Sequence, residues 1–280
     1  MKKHLSTIVL IIMFLCGLLI FLYPTLSNVY NEYLNKKLIG DYQDVATNVD
    51  YEAYAKEKEA ARLYNENRNN PETLEELGLT YEDVLNVAGN GIMGYIEIPK
   101  ISVSLVIYHT TDEAGLQNGI GHMEESSLPI GGESTHCVLA GHTGLPSAKL
   151  LTNIDHLDVG DRFTLHILDE VLTYQIDKIV IVEPHEVDHI NVVSGKDHVT
   201  LVTCTPYGVN SHRLLVRGVR AVGKQLADSE LLLVPNEVEL IQMRYLLTFS
   251  LLGFGVIAVI WYQIHSMLQK GRRKKVVKDQ

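Results

Sequence analysis

The sequence predicts a mainly β domain, a barrel or sandwich, carried between two apolar terminal blocks. From residue 92 to 222 the chain breaks into short runs rich in Val, Ile, Thr and Tyr, punctuated by Gly and Pro. The two blocks near the ends are almost free of charge, whereas the middle has ordinary globular composition. At 280 residues and 46% hydrophobic content, there is room for one domain of roughly 150–200 residues plus ancillary segments.

In chain order, the first apolar block runs from Leu5 to Tyr23 (LSTIVLIIMFLCGLLIFLY), close to the ~20 residues a helix needs to cross a bilayer. Its apolar stretch exceeds the roughly 7–15 residues of a cleaved leader, and no A-x-A-like site follows Tyr23. A retained anchor is expected. The stretch from Asn31 to Gly78 is polar, with apolar or aromatic residues at Tyr51, Tyr54, Ala55, Ala61, Leu63 and Tyr64. It reads as a helix or helical hairpin. Asn70-Pro71 interrupts it and begins a short helix through Glu76, and a linker containing Gly89-Asn90-Gly91 follows.

Strands are expected at IMGYIEI, ISVSLVIY, CVLAG, RFTLHIL, VLTYQIDKIVIV, HVTLVTC and RLLVRGVRAV, with a short helix near Ser147 to Leu151. Asp158 to Asp161 and Leu168 to Val171 read as turns. The second apolar block, Tyr245 to His265, ends in the interfacial pair Trp261 and Tyr262, and KGRRKK (Lys270 to Lys275) lies beyond it. With Lys2 and Lys3 before the first block, the basic residues place both termini in the cytoplasm and the middle outside the cell.

Charge excludes one class of partner. Between Pro24 and Met243 there are 15 basic against 33 acidic side chains, which disfavours nucleic acid. Cysteine usage argues against a disulfide scaffold, because only Cys16, Cys137 and Cys204 are present and the first lies within an apolar block; a pair between Cys137 and Cys204 stays open, since nothing in the sequence fixes their distance. No His, Asp or Glu cluster has a metal-ligand spacing of any strong type, so neither metal nor cofactor is expected.

The exterior thiols need a chemical explanation. Cys204 ends a strand-like run and precedes the turn Thr205-Pro206-Tyr207-Gly208, a place where a side chain is exposed at a rim. By itself a strand-end cysteine is usually a packing residue. Arg213, nine residues on, sits at hairpin distance, and its guanidinium would favour a thiolate and donate to a developing oxyanion. His142 also lies just past a strand, so a thiol, an imidazole and a guanidinium can meet at one rim. With twelve histidines in the chain, spacing alone does not select His142.

Four segments select it by resemblance. GYIEIPKI (Gly94 to Ile101), LAGHTG (Leu139 to Gly144), TLVTCTPYG (Thr200 to Gly208) and HRLLVRG (His212 to Gly218) resemble, in order and spacing, the sortases, membrane-anchored cysteine transpeptidases. The resemblance covers roughly residues 91 to 222. It implies a closed β-barrel of about eight strands, with Cys204 as nucleophile, His142 as general acid/base and Arg213 as the oxyanion-stabilising or substrate-orienting group. Thr203 would assist through its hydroxyl or backbone.

LPIGGES (Leu128 to Ser134), the Cys204 to Gly218 stretch and the second apolar block look most like class C, the pilus-assembling sortases. The implied reaction is cleavage of an LPxTG-like sorting signal between Thr and Gly through a Cys204 thioester. Transfer to an amine follows, and the implied partners are pilins or surface proteins bearing such signals. The acceptor would be a pilin lysine, or a cell-wall peptide in the housekeeping alternative. An extracellular cysteine hydrolase and a non-catalytic membrane-anchored scaffold stay open as rival readings. Many class C sortases carry a lid with an Asp-Pro-aromatic triplet. None occurs here, and Thr80 to Asn90 stands in its place; Tyr81 is expected at the surface, the alternative being a ring that enters the site, and Cys137 is expected as a small strand residue.

The expected organisation is therefore an anchor at 1–23, a helical region and linker at 24–90, and a barrel at 91–224. A linker at 225–243, a second span at 244–265 and a basic tail at 266–280 complete it.

Overall fold

The computed structural model describes residues 2–48 and 51–221; the predicted linker, second span and basic tail beyond them lie outside the described residues. Eight strands form: β1 (Ile92–Ile98), β2 (Val103–Tyr108), β3 (Ile120–His122), β4 (Thr135–Ala140), β5 (Arg162–Ile167), β6 (Glu170–Val182), β7 (Asp197–Thr205) and β8 (His212–Arg220). They close in the order β1-β2-β3-β4-β7-β8-β6-β5, so the predicted closed barrel is present. The β2–β3 and β4–β7 pairs run parallel and the others antiparallel.

The period-two pattern that marks the strands also fills the barrel. In β5, Phe163, Leu165 and Ile167 point inward while Arg162, Thr164 and His166 alternate outward. In β7 the inward set is Val199, Leu201 and Thr203, and in β8 Leu214 and Val216. Phe163 and Tyr174 stack with ring centroids 5.6 Å apart. Gly218 faces them, and a Cβ there would lie 2.8 Å from the Phe163 ring. Glycine is what allows β8 to approach so closely.

Helix α1 (Lys2–Asn48) runs unbroken through Pro24. Its first half exposes Ile12, Phe14, Leu15, Leu19 and Phe21, and the helix over Ile11–Thr47 is long and apolar enough to cross a membrane, with a mean hydropathy of 1.9 over its most apolar window. Its second half is held to the barrel. Ile39 and Tyr42 pack on Ile92, Tyr95 and Val106, and the Tyr42 hydroxyl donates to Met93 O (3.0 Å) and accepts from Leu168 N (2.8 Å). Three asparagines at helical spacing add polar ties. Asn28 Oδ1 accepts from Lys149 N at 2.7 Å, Asn31 Nδ2 donates to Ser147 O at 2.7 Å, and Asn35 bridges Asn118 O (2.6 Å) and Val106 N (3.2 Å).

Helix α2 (Tyr51–Asn67) turns Tyr54, Ala61 and Tyr64 into the main core, a spacing that lines one helical face. Helix α3 (Pro71–Leu77) starts as its sequence requires: the Asn70 side chain caps Thr73 N, Pro71 takes the first turn, and Gly78 ends it at φ +65°. A one-turn helix, α4 (Glu113–Leu116), lies in the crossover between parallel β2 and β3.

Two local expectations are corrected. No helix forms at Ser147 to Leu151; the chain instead makes turns ending in the 3-10 turn Ile154–His156, with Leu150 at φ +40°, outside helical geometry. Tyr81 is not at the surface. It is 7% exposed, tilts against Tyr64 and His122, and its hydroxyl donates to His109 O and lies 2.7 Å from His122 Nδ1. A tyrosine can bury its ring when its hydroxyl finds partners; here that tacks the linker onto the barrel.

Candidate active site

Strand register assembles the site. Cys204 is the next-to-last residue of β7 and Arg213 the second of β8, and the two are directly opposed in the antiparallel ladder. Directly opposed residues share a face, with Cβ atoms about 4.5–5.5 Å apart. The inward set of β7 is the odd-numbered one, so Cys204 and Arg213 stand on the outer face of the barrel wall.

His142 arrives from the other side of β7. The parallel β4–β7 ladder pairs Ala140 with Val202 and is extended by Gly141 N donating to Val202 O at 3.0 Å. His142 therefore leaves β4 at the level where Cys204 ends β7. The three predicted residues meet at one end of the barrel, from strands adjacent in the sheet although separated in sequence.

The surroundings set what each group can do. Cys204 is half-buried and is not in a disulfide. Arg213 Nη1 donates to Asn210 O (3.3 Å) in the hairpin loop and to His212 O (3.1 Å) at the start of β8. That holds the guanidinium against its own hairpin. The loop is closed by Val209 N and Asn210 N, both donating to Pro206 O.

The two loops that carry Cys204 and His142 also touch. Gly144 sits at φ +76°, and a Cβ there would lie 2.6 Å from the ring of Tyr207, a residue 69% exposed. Glycine thus serves both a left-handed backbone and a close aromatic neighbour.

Thr203 is placed differently. It is 3% exposed, alternates to the interior face, and its hydroxyl has no hydrogen-bond partner. The structure does not bring that hydroxyl to Cys204; only the backbone of Thr203 adjoins the site. Cys137 also faces inward, and burial pushes its thiol well above the ordinary range. Cys137 is paired with Val199, five residues back along β7 from Cys204. That is a separation of roughly 16 Å, whereas a disulfide needs Cα atoms within about 7 Å.

Two contributors were not singled out from sequence. Glu113 Oε2 lies 3.6 Å from His142 Nε2, and Tyr207 covers the His142 loop. Both depend on loops brought together by strand order, for which no local sequence signal exists. Among the described residues no three His, Cys, Asp or Glu side chains converge as a metal site would require.

Comparison with known proteins agrees with this architecture. Residues 96–221 match the family model of the sortase domain. Sortase D of Bacillus subtilis is 32% identical over 130 residues, which is 45% of this chain and 63% of that protein, so the match spans less than two thirds of that relative. The crystal structure of sortase C1 from Streptococcus agalactiae is 48% identical, with a TM-score of 0.62 over 67% of this chain and 99% of that one. Streptococcus pneumoniae sortase C, whose structure was described for its catalysis and pilin substrate specificity, is 36% identical, with a TM-score of 0.58 over 67% and 97%. The chain belongs to the sortase family. Within that family it is most like the class C members.

Proposed function

We propose that this chain is a membrane-anchored cysteine transpeptidase that acts outside the cell on LPxTG-like sorting signals. The observation that carries the reading is the direct pairing of Cys204 with Arg213 across β7 and β8, with His142 delivered to the same rim by β4. Cys204 Sγ attacks the carbonyl carbon of the Thr–Gly bond. Arg213 donates to the oxyanion as the tetrahedral intermediate forms. The C–N bond breaks as His142 gives a proton to the leaving nitrogen, and a thioester remains on Cys204. An amine then attacks the thioester carbonyl, giving its proton to His142, and Sγ departs as the thiolate. The new amide replaces the one cleaved, so neither nucleotide nor metal is needed to drive the exchange.

The acceptor we assign is a pilin lysine. Supporting it are the likeness to class C sortases and the pilin specificity described for the Streptococcus pneumoniae relative. The apolar first half of α1 supports an anchor at the N-terminal end of the chain. The arrangement proposed around the barrel is otherwise that expected from the sequence, with a second span at 244–265 and both termini cytoplasmic.

The test is incubation of the full chain in detergent with a pilin bearing an LPxTG-like signal, with and without an acceptor lysine. A thioester adduct absent from Cys204→Ala, and an SDS-stable ladder that requires the lysine, are expected. Cleavage that proceeds equally without acceptor would replace transpeptidation with hydrolysis, and no adduct at all would refute the enzyme reading.

A further inference from the structure

His142 Nε2 is sealed from solvent and makes no hydrogen bond within the protein. A buried N–H without an acceptor is unfavourable, so the atom's surroundings bear on the proton it carries. The carboxylate of Glu113 is beside it, with Oε2 at 3.6 Å. Nδ1 is not among the sealed, unpartnered atoms, and with Nε2 turned toward Glu113 it is the nitrogen left for an incoming group.

Glu113 is held in place. It opens α4, whose N-cap, Asp112, accepts from Gly115 N at 2.8 Å, while Asp112 N donates to Thr110 Oγ1 at 2.9 Å. Gln117, one turn on, donates its amide to Glu113 Oε1 at 3.0 Å, which leaves Oε2 on the His142 side. Topology explains the meeting: α4 feeds directly into β3, and Gly121 of β3 pairs with Ala140, two residues before His142. Glu113 is 71% exposed, so charge attraction through solvent is weak. At 3.6 Å the pair lies just beyond hydrogen-bond length, and such contacts commonly tighten when substrate binds.

We propose that Glu113 is a positioning residue for His142: it accepts the Nε2–H, fixes the ring and its tautomer, and leaves Nδ1 to exchange the proton with the leaving amine. This rests on the transpeptidase reading. Two readouts keep its failure separate from failure of that reading.

The first is steady-state cleavage of a sorting peptide by the full chain. Glu113→Ala is expected to lower kcat about tenfold with KM within twofold, and Glu113→Gln, whose amide oxygen still accepts from Nε2–H, to recover most of that loss. The second is independent of turnover: 15N NMR of histidine-labelled full chain in detergent micelles, with His142 assigned by its loss in His142→Asn. The wild type should show Nε2 protonated and Nδ1 bare when neutral, and Glu113→Ala a mixture. An inactive wild type would defeat the transpeptidase reading while the NMR still tests Glu113. Unchanged tautomer populations in Glu113→Ala, or an unchanged kcat in an active enzyme, would overturn the proposal.

Discussion

Replacing Gly144 by alanine probes the contact between the two site loops, and its effect can be worked from the geometry. At φ +76° an L-residue is unfavourable by roughly 1–2 kcal/mol. The new methyl would also stand 2.6 Å from Tyr207 Cε2, too close to persist. Tyr207 is mostly exposed and can swing away, at a loss of about 1 kcal/mol of apolar contact. Gly144→Ala should therefore destabilise by about 2–3 kcal/mol, with about 1 kcal/mol of coupling to Tyr207. Urea denaturation of the single variants and of Gly144→Ala/Tyr207→Ala measures both terms. Because the strained loop begins two residues after His142, sorting-peptide kcat should also fall, by tenfold for each 1.4 kcal/mol of misalignment carried into the transition state. A neutral Gly144→Ala would refute the left-handed conformation, and a penalty unchanged in the Tyr207→Ala background would refute the ring contact.

Other perturbations test separate parts of the structure. Burial pushes His122 down to about 4 from its ordinary 6.5, so between those values the unfolded chain binds a proton that the folded one refuses. Its stabilisation is full above pH 6.5 and shrinks toward pH 4, by on the order of 3 kcal/mol; His122→Gln should be weaker at pH 7 but show a shallower decline, and parallel pH curves would contradict the assignment. A maleimide probe should label Cys204 in the folded protein and Cys137 only after denaturation, with native labelling of Cys137→Ala equal to wild type; early labelling at Cys137 would exclude its inward orientation. Arg213→Lys should lose roughly 10²–10³ in kcat, because a lysine cannot both hold the loop carbonyls and fork onto an oxyanion; full activity would remove Arg213 from that role.

What the sequence made legible follows from how locally each feature is specified. Alternating side chains mark β5 and β7 because one face of each must enter the core. The hairpin from Cys204 to Arg213 was visible because nine residues and a Pro/Gly turn allow few other closures. β3 has three residues, too few to display a period, and exists because β2 and β4 flank it. The placement of Tyr81 turned on distant hydrogen-bond partners in His109 and His122, which nothing in the linker announces. Thr203 shows the opposite limit: adjacency in sequence to Cys204 puts its side chain on the other face of the strand. Glu113 was illegible for the same reason as β3, since its meeting with His142 is fixed by strand order rather than spacing.

The asparagine ties from α1 have a geometric consequence for an anchored enzyme. Asn28, Asn31 and Asn35 follow Tyr23 by five to twelve residues, and a helix advances 1.5 Å per residue, so the clamps act roughly 8–18 Å along its axis from that point. Two of them grip Ser147 and Lys149, only five and seven residues beyond His142. Under the proposed function, with the stretch to Tyr23 set in a bilayer, α1 would be a short mast bolted to the loop that bears the His142 imidazole. It would fix the altitude and heading of that rim, and a substrate would have to come down to it near the lipid surface.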